Sequence, residues 1–227
     1  MGEPRVALVT GANRGLGLAV AAALRARGLA VIMTGRDGAA VADAAATLGP
    51  GVRAETLDVT DPAAVTGVRD RVGPVDVLVG NAGVLLDGGT DPLGVPLDLV
   101  ERTLAVNLLG SWRVAQAFVP GMVERGWGRV VLVSSGTGAF SNGLYAGAPG
   151  YSVSKTALNG LTTMLADRTR GSGVLVNAVN PGTTRTRMMP RGQREPEDAA
   201  RDVVHAAMLP DDGPSGVFLR GGRQVDW

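Results

Sequence analysis

The sequence predicts an α/β fold: a doubly wound, mostly parallel sheet of seven strands with helices on both faces. Three observations carry this expectation. Apolar runs of strand length alternate with helical periodicity along the 227 residues, the order expected of parallel strands joined by right-handed crossovers. The strand runs are mostly continuous rather than alternating, as in Val75-Asp-Val-Leu-Val79 and Val130-Val-Leu-Val133, so both sheet faces should be covered. The first strand also runs directly into a glycine-rich turn at the head of a helix, Thr10-Gly-Ala-Asn-Arg-Gly-Leu-Gly17.

Taken in order, the strands are expected at Arg5–Thr10, Ala30–Thr34, Val52–Asp58, Val75–Gly80, Arg129–Ser134, Leu175–Asn180 and Gly216–Leu219. Between them the spacing predicts helices near Gly15–Arg27, Ala39–Leu48, Pro62–Val72, Leu97–Glu124, Gly150–Arg170 and Pro196–Met208. In the first helix Leu16, Val20, Ala23 and Leu24 make a one-sided apolar stripe, the mark of a helix laid on a core. Gly28 and Gly126 follow helices, where a left-handed cap favours glycine. No linker, internal repeat or shift of composition divides the chain, so residues 1–227 are read as one domain.

Composition excludes several classes of function. A formal net charge of +1 argues against a nucleic-acid partner held by a basic face. There is no cysteine and one histidine, His205, which removes disulfides, thiolate metal sites and a cysteine nucleophile. A histidine-rich metal site goes with them, and a Ser-His-Asp hydrolase is disfavoured, so no metal is expected. No apolar run reaches the roughly 18 residues of a membrane span. The Met-Gly-Glu-Pro start enters a strand at once and leaves no room for a signal peptide. A cytoplasmic protein without a membrane partner is the expectation.

Lys155 is the only lysine among 22 basic residues. It lies four residues after Tyr151, one of two tyrosines, and on a helix that spacing puts both on one face. A lone lysine is best explained where a guanidinium cannot substitute, since lysine carries a compact ammonium whose pKa shifts readily. An ammonium beside a phenol makes tyrosine a better proton donor and acceptor near neutral pH. At the other end of the chain, Gly11, Gly15 and Gly17 sit at a strand-to-helix turn. There they permit a tight turn and let a pyrophosphate approach free N–H groups at a helix N-terminus, as in a Rossmann-type fold.

With those residues in view, the chain resembles the short, single-domain branch of the short-chain dehydrogenase/reductase family over about residues 5–219. Thr10–Gly17 resembles the family's cofactor turn, with Asn13, Arg14 and Leu16 among the contacts. Leu57-Asp58-Val59-Thr60 resembles the segment whose aspartate and following amide meet the adenine. Asn81-Ala82-Gly83 is similar to the motif that steadies the sheet beside the cofactor. Asn107, Val133-Ser134-Ser135, Tyr151-x3-Lys155 and Asn180-Pro181-Gly182 complete the set in the family's order.

The resemblance implies a hydride transfer between a nicotinamide cofactor and a small-molecule carbonyl substrate. It assigns Tyr151 as general acid and Lys155 to lower the phenol pKa and bind the nicotinamide ribose. Ser135 would orient the carbonyl, with Ser134 the alternative, and Asn107 would hold a relay water. Many relatives place the serine 13 residues before the tyrosine, which here is Gly138, so Ser135 implies a small extension within Gly136–Gly150. Pro181, Gly182, Thr184 and Thr186 are expected along the cofactor's nicotinamide end. Tyr145 is read as loop packing or substrate contact.

The choice of cofactor follows from charge. An acid at the end of the second strand would bind a ribose 2′-hydroxyl and repel a 2′-phosphate. The family's position for it is Gly35, followed by Arg36, with Arg14 in the glycine turn. Two guanidinium groups and no acid there predict NADPH/NADP+, with Asp37 expected to face outward. A short lid, about Thr183–Glu195, carries Arg185, Arg187, Arg191 and Arg194 beside Met188 and Met189. These arginines either receive an anionic substrate handle or form a solvated loop, the latter favoured. An NAD-linked alcohol dehydrogenase and a non-catalytic NADP-binding sensor are the alternatives. Homodimer, homotetramer and monomer all stay open.

Overall fold

The computed structural model describes residues 4–227; the expectation drawn from the Met1–Glu3 start lies outside them. The strands are β1 (Val6–Val9), β2 (Ala30–Gly35), β3 (Val52–Thr56), β4 (Val77–Gly80), β5 (Gly128–Val133), β6 (Val174–Val179), β7 (Phe218–Arg220) and β8 (Arg223–Val225). They form one sheet in the order β3-β2-β1-β4-β5-β6-β7-β8, parallel except for the β7–β8 pair. Among the described residues the sheet therefore has eight strands, not seven. The added strand is only three residues long, Arg-Gln-Val, and has no apolar run to announce it. Its signal was the Gly221-Gly222 pair, both at positive φ (57° and 73°), a combination that suits a two-residue hairpin.

The helices are α1 (Gly15–Ala26), α2 (Gly38–Thr47), α3 (Pro62–Val72), α4 (Leu97–Leu104), α5 (Ser111–Glu124), α6 (Pro149–Arg168) and α7 (Pro196–Ala207). The long helix expected at Leu97–Glu124 is interrupted by a π-helical segment, Ala105–Gly110. Apolar periodicity cannot distinguish one helix from two joined by such a segment. Gly28 and Gly126 do take positive φ, 86° and 73°.

Successive strand residues bury on opposite faces. Ala7, Val9, Val31, Met33, Val77 and Val79 face α1, α2 and α7. Leu8, Ile32, Leu78, Val130 and Leu132 face the layer of α3, α5 and α6. This explains the unbroken apolar runs: a sheet buried on both sides gives each strand residue an apolar partner. Among the described residues no helix is long and apolar enough to cross a membrane.

Candidate active site

The strand order reverses between β1 and β4, and ligands of doubly wound sheets bind in the crevice at such a point. A cavity of about 1240 Å³ opens there, along the carboxyl ends of the strands. All the predicted site residues line it except Asn107.

The glycine turn is shaped as the sequence implied. Gly11 and Gly15 take φ of 64° and 52°, and a Cβ on Gly17 would collide with the Gly11 carbonyl and the Asn81 amide. No side chain caps α1, and its first turn holds no acid, so its terminal N–H groups are available to an anion. Asn81 locks the turn to the sheet: its Nδ2 donates to the carbonyls of Thr10 (2.9 Å) and Gly11 (3.0 Å). The Thr10 hydroxyl accepts from the amides of Asn81 (3.0 Å) and Ala82 (2.9 Å). Thr186 reaches back so that its Cγ2 lies 3.2 Å from where a Gly15 Cβ would stand. These residues fit a dinucleotide with its pyrophosphate on α1.

At the adenosine end, Asp58 accepts from the Thr60 amide (2.8 Å) and hydroxyl (2.7 Å). Burial alone would push its carboxyl up. The two Thr60 hydrogen bonds and the nearby Arg36 charge outweigh that and hold it below the usual range. Arg14 and Arg36 line the cavity, are exposed, and have no carboxylate partner within 4 Å among the described residues. Asp37 is exposed. It lies on the cavity rim, and its carboxylate turns back to cap α2 by accepting from the Ala40 amide at 3.0 Å. A carboxylate just before a helix can satisfy an orphan N–H while it stays exposed to solvent.

On the opposite wall, α6 carries Tyr151 and Lys155. The helix starts at a poor cap, Ala148, and a buried carboxylate from another loop replaces it: Asp87 accepts from the Gly150 amide at 2.5 Å and the Tyr151 amide at 3.3 Å. No local pattern in the sequence marks Asp87 for this role; the one hint is α6's lack of a local capping side chain. Lys155 Nζ donates to the Val133 carbonyl at 2.7 Å and lies 5.5 Å from the Tyr151 ring centroid. Burial pushes this ammonium down to about 8.

Burial also pushes the Tyr151 phenol up to about 12, opposed by a hydrogen bond with Ser135. The protein's own atoms thus give the reverse of the expected lowering. Withdrawing a phenolate from water costs more than the neighbouring dipoles return, and the ammonium lies over the ring with its hydrogen bond given to Val133.

The two serines separate clearly. Ser134 is buried and donates to Asn159 Oδ1 at 2.5 Å. Ser135 Oγ accepts from Thr137 Oγ1 (3.0 Å) and the Thr137 amide (3.3 Å), which leaves its own proton for the cavity. Gly138 packs against α6, where a Cβ would stand 2.6 Å from the Thr156 nitrogen; no serine fits at that spacing. Asn107 lies in the π-helical segment, fully buried. Its amide donates to the Val84 carbonyl and to Ser154 Oγ, both at 2.9 Å, and accepts from the Val84 amide at 2.8 Å. Its main-chain carbonyl accepts from Ser111 Oγ at 2.9 Å.

In the lid, Arg194 is turned inward. It binds Asp202 (2.6 Å), the Pro181 carbonyl (2.8 Å) and the Asp198 carbonyl (2.8 Å), and Arg185 pairs with Glu195 at 2.8 Å. Both are therefore spent within the fold. Arg187 reaches the cavity, joined by Arg220 from the end of β7, a residue that no motif in the sequence marks.

A glycine cradle at the switch point, facing a serine, a tyrosine and a lysine, defines a dinucleotide-binding α/β protein. Comparison with known proteins makes the class specific. Residues 5–197 match the family described as short chain dehydrogenase. The 1-deoxy-11-beta-hydroxypentalenate dehydrogenase of Streptomyces exfoliatus is 37% identical over 212 residues, spanning 90% of this chain and 76% of its own. A putative ketoacyl reductase of the monensin polyketide synthase from Streptomyces virginiae is 38% identical over 214 residues, spanning 90% and 80%. Among solved structures, a short chain dehydrogenase/reductase family protein superposes with a TM-score of 0.89 at 30% identity, covering 96% and 95%. The actinorhodin polyketide ketoreductase with NADPH does so with a TM-score of 0.86 at 29% identity, covering 97% of each chain. The chain belongs to the short-chain dehydrogenase/reductase family and is an NAD(P)-dependent oxidoreductase.

Proposed function

We propose that this chain is a cytoplasmic, single-domain, NADPH-dependent reductase that converts a ketone or aldehyde to an alcohol. The observation that carries the reading is the meeting of Ser135, Tyr151 and Lys155 in one cavity with the glycine cradle. The names of the relatives, several of them ketoacyl reductases, support the direction. NADPH is favoured over NADH because Arg14 and Arg36 face the cavity without carboxylate partners among the described residues, and guanidinium groups bind a 2′-phosphate by paired hydrogen bonds. Asp37, held as the α2 cap, tempers that preference without removing it.

The dinucleotide would be held by Gly11–Gly17, Arg36, Asp58, Val59, Asn81–Gly83 and Pro181–Thr186. When bound, its reduced nicotinamide supplies a hydride to a carbonyl carbon. Tyr151 stays protonated at neutral pH and donates its proton to the carbonyl oxygen. Ser135 donates a hydrogen bond to the same oxygen, which gains negative charge in the transition state. Lys155 stabilises the resulting phenolate and has two further donors for the nicotinamide ribose. Asn107 enters the proton relay through its main-chain carbonyl.

The apolar Met188, Met189 and Leu144 beside Arg187 and Arg220 suit a bulky carbonyl compound. Monitoring NADPH oxidation over aldehydes, ketones, quinones and 3-oxoacyl thioesters tests the reading, with turnover of at least one class expected and none contradicting it. With the best substrate, Arg36→Asp should shift the kcat/KM ratio of NADPH over NADH by about 10-fold or more towards NADH. An unchanged ratio would sink the cofactor assignment.

A further inference from the structure

The cavity wall formed by Asn142, Gly143, Leu144, Tyr145 and Ala146 belongs to the extension that separates Ser135 from Tyr151. The segment holds little structure of its own: two single turns of 3-10 helix, Gly136–Gly138 and Phe140–Asn142. Phe140 is 70% exposed and anchors nothing. Its inner side is held by Tyr145, whose amide donates to the Thr137 carbonyl at 3.2 Å and whose carbonyl accepts from Ser152 Oγ at 2.7 Å. Its outer side, at Ser141, is held from the far end of the sequence. The Ser141 amide donates to the Trp227 carbonyl at 2.8 Å, and the Ser141 hydroxyl donates to the Asp226 carbonyl at 3.1 Å. Trp227 is itself set by a stack on Phe218, with centroids 5.3 Å apart and planes 7° from parallel. Phe218 is buried, and beside it Ala139 and Ala178 close a small apolar cluster that Trp227 and Val225 cover.

We propose that Trp227 is a specificity-determining positioning residue: by stacking on Phe218 it holds residues 226–227 as a clasp on Ser141, and the clasp fixes the substrate wall 142–146. The inference rests on the reductase reading and deepens it. The glycine cradle, Arg36 and Asp58 lie on other loops, after β1, β2 and β3, and none of the clasp residues touches them. Loosening the clasp therefore weakens binding of the carbonyl partner and leaves the dinucleotide site intact. A stacked aromatic pair adds a directed contact beyond its burial, so phenylalanine serves at 227 and alanine does not.

The test compares Trp227→Ala and Trp227→Phe with the unaltered chain, measuring KM and kcat for the carbonyl and Kd for NADPH. Trp227→Ala is expected to raise KM about 10-fold with kcat changed less than about threefold, the sign of lost uniform binding. NADPH Kd should stay within about twofold, and Trp227→Phe should restore KM to within about threefold. An unchanged KM overturns the proposal, as does an equal loss of NADPH affinity, which would make Trp227 a general prop of the fold. Hydrogen exchange at 139–146 decides the matter if no carbonyl is turned over, an outcome that refutes the reductase reading alone. Faster exchange confined to that segment in Trp227→Ala supports the clasp, and unaltered exchange there overturns it.

Discussion

Arg129 and Lys155 are both buried, 1% and 4% exposed, and they serve the two ends of β5. Arg129 stands at the strand's start, among loops remote from the cavity. Its fork donates to the carbonyls of Leu209 (2.8 Å), Gly128 (2.9 Å) and Gly173 (3.2 Å) and to Asp211 at 2.5 Å. Its guanidinium carbon lies 4.3 Å from the Trp127 ring centroid, and Arg5 stacks on the same ring at 3.5 Å. Lys155 meets the strand's last residue, Val133, and among the described residues its ammonium has that one hydrogen bond and no carboxylate. Burial lowers both cations. Asp211 counters it for Arg129, whereas Lys155 has no counterweight and falls to about 8.

The contrast teaches how to read a buried charge. A cation that only holds the fold together is given every partner its geometry can use, and a planar fork suits that purpose. A cation kept short of partners carries a standing cost in stability, and such costs gather where function needs them. The one lysine is at the second kind of place.

The largest effect expected lies at the Lys155 end. Tyr151→Phe should lower turnover by about 10³-fold or more while NADPH binding, followed by fluorescence, stays near normal. Residual turnover near the unaltered level would mean that the phenol is not the acid. At the other end Arg129→Leu should leave the kinetics at low temperature unchanged but destabilise by about 3 kcal/mol, because the buried Leu209 and Gly128 carbonyls lose their donor. Urea unfolding measures this, and a kinetic defect without a stability loss would break the comparison.

A smaller effect has the opposite sign. Lys155→Met should be inactive yet more stable at pH 7, by about 1–2 kcal/mol, because it removes a desolvated ammonium. The folded pKa lies below that of the unfolded chain, so the unfolded state holds the extra proton between about 8 and 10.5. The stability of the unaltered protein then rises with pH across that window, and the advantage of Lys155→Met should fade from pH 8 towards 10.5. A gap that is constant with pH would show that Lys155 is not strained.

These two ends also differ in how much the sequence revealed. Gly11, Gly17, Tyr151 and Lys155 were legible because their chemistry depends on local spacing, a turn before a helix or two side chains on one helix face. The parallel sheet was legible for the same reason, through runs such as Val130–Val133. Asn81, which acts on carbonyls 70 and 71 residues away, was legible only through the resemblance of Asn81-Ala82-Gly83 to a family motif. Arg129 was not, since its partners Leu209 and Asp211 lie 80 and 82 residues away. Asp87 was hidden likewise, 63 residues from the helix start it caps. Arg194 looked like a surface cation until Asp202 and the Pro181 carbonyl drew it inward. The phenol's pKa was misjudged because spacing gives proximity to an ammonium and says nothing of the water excluded around both groups.

The central claim is that Lys155 is a lysine because of what it does rather than because a positive charge is needed there. The direct measurement is the kcat of Lys155→Arg with NADPH and the best carbonyl substrate, beside its melting temperature. A charge-preserving fork cannot both sit under the phenol and donate to a ribose, so kcat should fall at least about 100-fold in a protein that remains folded and binds NADPH. Full activity in that variant would contradict the account.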